Sequence, residues 1–129
     1  MSQRLSILLG GALLAAAPAW AAGDAHDATM MKLATTSGCL TCHHIDAGAK
    51  GPDGLPPVGP AWREVAVKYR GTKGAADQLT HTVMTGSNPY ASHWKGKVSG
   101  LAMPPNAVAI TQADAKQLVN WILALDPKN

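Results

Sequence analysis

The chain has 129 residues, a formal net charge of +3 and only 15% charged residues, which suits one domain and excludes charge-driven disorder. Gly (13) and Pro (9) are abundant, and no basic tract of the nucleic-acid-binding kind is present. With four Trp, two Tyr and no Phe, a globular core is short of large side chains and needs another filler.

Taken in chain order, the first segment reads as an export signal. Arg4 precedes an uncharged run over residues 5–17, and Ala19-Trp20-Ala21 closes it with the small-x-small pattern of a signal peptidase site. That run is shorter than the ~20 residues a membrane-spanning helix needs, so a cleaved signal over residues 1–21 is favoured over a retained anchor. No Cys near the cleavage site indicates a lipid anchor. Losing Arg4 with the signal lowers the formal charge from +3 to +2, too little to argue for a polyanionic partner. The expected product is a soluble periplasmic domain over residues 22–129.

Within that domain, residues 27–37 predict a short helix with Ala28, Met31 and Thr35 on one face, broken by Gly38. Residues 46–61 carry Pro52, Pro56, Pro57 and Pro60 among glycines and predict an irregular loop. Residues 61–69 predict a second helix through Trp62, Val65, Ala66 and Tyr69 at i, i+3, i+4, i+7 spacing. A third helix is expected over residues 75–85, with Leu79 and Val83 in its apolar stripe, then a second long loop over residues 86–109. The last helix carries the strongest signals. Thr111 is a suitable N-cap with Asp114 three residues on, and Ala115, Leu118, Val119 and Ile122 form a stripe that Trp121 and Leu125 widen. Asp126-Pro127 stops it. No alternating strand pattern of useful length occurs, so the fold class is all-α, with long loops.

The chemistry is concentrated in Cys39-Leu-Thr-Cys42-His43, the C-x-x-C-H pattern of covalent c-type haem attachment. Residues at i and i+3 share a helical face, so two such thiols can each add to one haem vinyl group. The adjacent His43 can then offer its imidazole to the iron. Three rival readings are weaker. A redox dithiol wants a βαβ context that is absent. A zinc site would have to recruit His43, His44, His81 or His93 at spacings unlike ordinary zinc motifs. A structural disulfide would close a tight, strained loop. A large flat apolar cofactor also supplies the core filler that the missing Phe would have been.

The second axial position decides what such a haem does. A thioether there favours ferrous iron and leaves no open site for a substrate. The candidates are Met30, Met31, Met84, Met103 and the remaining histidines. Packing accounts better for Met30, Met31 and Met84. Met103 lies in Met103-Pro-Pro-Asn106, where the prolines hold the backbone extended and can pin a sulfur, and His93 on the same loop is its rival.

The combination of C-x-x-C-H, Gly59-Pro60-Ala-Trp62 and Met103-Pro-Pro-Asn106 before a final helix resembles class I cytochromes c. The likeness spans the mature chain, and is greatest to the small bacterial members that donate electrons to nitrite reductases or oxidases. It implies the small cytochrome c fold, with the final helix crossing the first. It implies one haem c held by Cys39 and Cys42, with iron bound by His43 and Met103. It also implies that the Pro60 carbonyl accepts the proximal imidazole N–H, that the Asn106 amide approaches the methionine sulfur, and that Trp94 reaches a haem propionate. For Trp94 and Trp62, plain packing is the competing account.

The chain departs from the compact members in two longer stretches, residues 47–57 and 87–101, both expected near the exposed haem edge. Lys50, Lys95 and Lys97, and separately Lys68, Arg70 and Lys73, can attract acidic partners, though a solvated surface explains them equally well. The expected function is that of a monomeric periplasmic electron carrier between redox partner proteins, not an enzyme. Two other readings compete: a haem subunit of a periplasmic dehydrogenase, such as one oxidising sulfite or an alcohol, and a haem-based ligand sensor with Met103 off the iron.

Overall fold

The computed structural model describes residues 19–126. Four helices follow one another: α1 (Ala19–Thr36), α2 (Trp62–Tyr69), α3 (Ala75–Thr85) and α4 (Gln112–Ala124). Single 3₁₀ turns form at Cys39–Thr41 and Pro52–Gly54. Among the described residues there is no strand, and one isolated bridge pairs Lys95 with Val98. None of the described helices is long and apolar enough to cross a membrane. The apolar run of the expected signal lies outside the described residues.

The organising element is α4, which packs against α3, α2 and α1. Its start follows from side-chain chemistry. The Thr111 hydroxyl oxygen accepts from the Asp114 N–H at 3.1 Å, satisfying one of the helix's free donors, and the hydroxyl hydrogen is donated to the Asp114 carboxylate at 2.7 Å. The expected stripe is the one buried: Ala115, Leu118, Val119, Trp121 and Ile122. Each apolar side chain removed from water there contributes about 1.5–3 kcal/mol, Ala less.

Helix α1 departs from expectation twice. It begins at Ala19 rather than at residue 27, because the alanine-rich stretch ahead of Asp27 has high helix propensity and one Gly does not stop it. Its buried face is Met30 and Ala34, followed by Ser37, whereas Ala28 and Thr35 are exposed and Met31 is only partly covered. The face is chosen by α4. The Trp121 Nε1–H donates to the Asp27 carboxylate at 2.7 Å, which sets the roll of α1 on its partner. The helix ends where Gly38 turns left-handed at φ 74° and donates to the Thr35 carbonyl.

Helices α2 and α3 form where the spacing places them. In α2, Trp62, Val65 and Ala66 are buried, and Arg63 on the other side ties the helix to the Asp46 carboxylate and the Asp126 carbonyl. In α3 the buried residues are Ala75 and Thr80, whose hydroxyl is satisfied by the Ala76 carbonyl at 2.7 Å. The expected stripe residues Leu79 and Val83 are only half-buried, because they face a cavity instead of the packed core. Four of the seven glycines at positive φ, Gly48, Gly54, Gly86 and Gly96, lie in the two long loops and let them turn sharply.

Candidate functional site

A cavity of about 370 Å³ opens between α2, α3 and α4 and the two long loops. Its wall is apolar where the helices meet it, at Val65, Leu79, Val83, Val119 and Ile122. No Asp, Glu, Lys or Arg lines it, and its polar groups are hydroxyls, amides and two imidazoles. Such a wall suits a large apolar guest with a polar rim, the filler that a Phe-free core lacks.

His43 enters this wall directly after the Cys39–Thr41 turn, in which the Cys39 carbonyl accepts from both the Cys42 and His43 N–H groups. Its Nδ1 lies 2.8 Å from the Pro60 carbonyl, as the resemblance implied. A carbonyl can only accept, so Nδ1 carries the proton and the Nε2 lone pair is left available. Burial pushes the imidazole below its usual pKa, with the Pro60 carbonyl opposing and the charge of His44 adding to it. The ring is therefore a neutral donor near pH 7. Trp62, 4% exposed, stacks on it at 5.9 Å between centroids and 27° between planes. Trp62 in turn meets Trp121 edge-on at 5.8 Å. Trp62 is thus a positioning neighbour of His43 as well as core.

The backbone closes in from the other side. Gly59 N–H donates to the Cys42 carbonyl at 2.7 Å, and a Cβ on Gly59 would stand 2.8 Å from His43 Cε1. Only a residue without a side chain allows that approach. The sequence reading used Gly59 as part of a motif and missed this steric reason.

Both thiols are free. Cys42 is on the cavity wall, while Cys39 lies one 3₁₀ turn back, in contact with the core cluster and 4.0 Å from the Ser37 carbonyl. Burial pushes the Cys39 thiol up, a backbone hydrogen bond opposes this, and the charge of Cys42 adds to it. Cys39 therefore stays a neutral thiol near pH 7.

Of the described methionines, Met103 alone is on the wall. Met30 is buried in the core, and Met31 and Met84 pack against it. His93 reaches the same wall from an exposed position. The Asn106 amide differs from expectation. Its Nδ2 donates to the Pro104 carbonyl at 2.7 Å and the Val83 carbonyl at 3.3 Å, so it braces the loop rather than offering a hydrogen to the sulfur. Trp94 is on the wall too, with His93 edge-on at 4.9 Å and Lys97 Nζ 5.7 Å from its ring. The two extensions separate clearly: residues 87–101 supply much of the wall, whereas none of the wall residues before Val58 belongs to the 47–57 stretch.

An imidazole, a thioether and one thiol on the wall of an uncharged cavity, with a second thiol one turn back, are the donor types that hold a covalently attached haem, so the residues present fit one. The cytochrome c family model matches residues 28–126. The chain belongs to the cytochrome c family. This cytochrome is 44% identical over 93 residues to cytochrome c-551 of Allochromatium vinosum, covering 72% of this chain and 82% of that one. It is 35% identical over 120 residues to cytochrome c-551 of Pseudomonas aeruginosa, covering 93% and 92%. Its fold superposes on the crystal structure of Nitrosomonas europaea cytochrome c552 with a TM-score of 0.58 at 33% identity, covering 74% of this chain and 99% of that one. The helical, strand-free architecture and the class I resemblance are thereby established, and with the family comes covalently attached haem c and its iron.

Proposed function

We propose that this cytochrome is a periplasmic monohaem electron carrier in which Cys39 and Cys42 hold the haem and His43 and Met103 bind its iron. The observation that carries the ligand assignment is the uncharged cavity onto which the fold brings Cys42, His43 and Met103 from distant stretches of the chain. When bound, the haem supplies a one-electron couple, and no substrate bond is made or broken.

What the chain itself does follows from its geometry. Pro60 and Trp62 hold the His43 ring in one orientation, with Nε2 as the donor. Met103 would supply a neutral sulfur to the iron, which would favour the ferrous state and leave no site for exogenous ligands. The wall holds no Asp, Glu, Lys or Arg that would have to rearrange when the charge changes by one. Donor and acceptor are redox partner proteins, the exported form is residues 22–129, and the chain acts as a monomer.

The test is the visible spectrum of the ferric holoprotein beside Met103→Ala. A weak far-red sulfur-to-iron band is expected in the parent and not in the variant, together with CO binding by the reduced variant only. A parent without the band removes Met103 from the iron. The intact mass of the exported protein checks the rest, with one covalent haem on a chain starting at Ala22.

A further inference from the structure

The segment Met103-Pro104-Pro105 has an anchoring problem. Neither proline carries an N–H, so the stretch can be tied down only through its carbonyls and through the single N–H of Met103. The structure uses that N–H and the carbonyls of Met103 and Pro104. The Met103 N–H donates to the Ser87 hydroxyl at 2.9 Å, and the Ser87 N–H donates back to the Met103 carbonyl at 2.9 Å. Downstream, the Asn106 amide takes the Pro104 carbonyl. Among the described residues, Ser87 is therefore the one that hydrogen-bonds Met103 itself, with its side chain and its backbone together.

Gly86 makes that grip possible. It sits at φ 86°, and a Cβ there would stand 3.0 Å from the Met103 carbonyl oxygen and 3.1 Å from Pro105. The chain can therefore leave α3 and run against the Met103 backbone at hydrogen-bond distance only because residue 86 has no side chain. Ser87 also lines the cavity, and its bond to Met103 is part-buried, so water competes for it less than at the open surface.

We propose that Ser87 is a positioning residue for the sulfur ligand: its reciprocal pair of hydrogen bonds with Met103 sets how readily that ligand leaves the iron. This rests on the assignment of Met103 to the iron made above. An exogenous ligand such as imidazole binds ferric iron only in the fraction of molecules whose Met103 is displaced, so its apparent affinity reports that fraction.

The experiment titrates imidazole into the ferric holoproteins of the parent, Ser87→Ala, Ser87→Thr and Thr111→Ala, following the far-red band. The Ser87→Ala variant leaves the Met103 N–H without its side-chain acceptor, and is expected to bind imidazole about tenfold more tightly, the effect of one lost hydrogen bond. Ser87→Thr keeps the hydroxyl and should stay within about twofold of the parent by the same reasoning. Thr111→Ala lowers global stability through α4 and should leave imidazole affinity unchanged, which separates a grip on Met103 from general loosening. A parent without the band overturns the ligand assignment and the clamp together. A parent with the band whose Ser87→Ala variant takes imidazole no more readily, or whose Thr111→Ala variant takes it equally readily, overturns the clamp alone.

Discussion

At the scale of single residues, the site is governed by how closely backbone can approach a side chain. His43 is held on one edge by the Pro60 carbonyl, on one face by Trp62, and against the Gly59 backbone. Gly59→Ala should therefore be costly. The nearest atoms to the new methyl are ring atoms at 2.8 and 2.9 Å and the Cys42 carbonyl oxygen at 3.1 Å, and none is the free end of a flexible chain. Overpacking of this kind costs about 1–3 kcal/mol. For a domain of this size that is a drop of at least about 4 °C in Tm, read by thermal unfolding of the holoprotein, with Soret and far-red changes reporting the displaced ring. C-x-x-C-H and Met103-Pro-Pro were legible because their chemistry is carried by residue type and spacing. Ser87 was not, because a serine before a long loop looks like any turn residue until the fold puts Met103 beside it.

At the scale of elements, legibility followed the strength of local signals. The bounds of α3 and the start of α4 emerge as expected, since Gly74 and Thr111 mark starts that tertiary contacts do not move. Thr111→Ala removes the acceptor for the Asp114 N–H and should cost about 1 kcal/mol, seen as a lower denaturant midpoint at unchanged slope. The haem spectrum should stay that of the parent, because α4 reaches the cavity at Val119 and Ile122, about two turns or more from the Thr111 cap. By contrast the face of α1 was misjudged. Its sequence is alanine- and threonine-rich with little amphipathic contrast, so several faces are nearly equivalent in isolation. The Trp121–Asp27 hydrogen bond and the fit of Met30 and Ala34 against the core select one of them.

For the whole molecule, charge argues against a strongly electrostatic mode of association. A mature form over residues 22–129, as proposed, would carry +2, two haem propionates would cancel it, and no charged side chain lines the cavity. Electron self-exchange between ferric and ferrous forms, read by NMR line broadening, tests this. Raising ionic strength from about 10 mM to about 100 mM shortens the Debye length from about 30 Å to about 10 Å, and should change the rate by less than about threefold. A steeper dependence would locate a concentrated charge at the contact face, with Lys68 and Lys97 beside Trp94 as the first place to look.

The sequence by itself determined the all-α class and the family likeness, and it singled out the candidate thiols, the candidate imidazole and Met103. Each rests on residue type or short-range spacing, which physics reads locally. The tertiary structure alone decided the roll of α1, the use of Leu79 and Val83 as cavity wall, the division of the two loop extensions into one that builds the site and one that does not, and the turning of the Asn106 amide to carbonyls. It also brought Ser87 onto Met103. These depend on which surfaces meet across long stretches of chain, and such meetings are set by the packing of α4 and the paths of the glycine-rich loops, not by any neighbour in sequence.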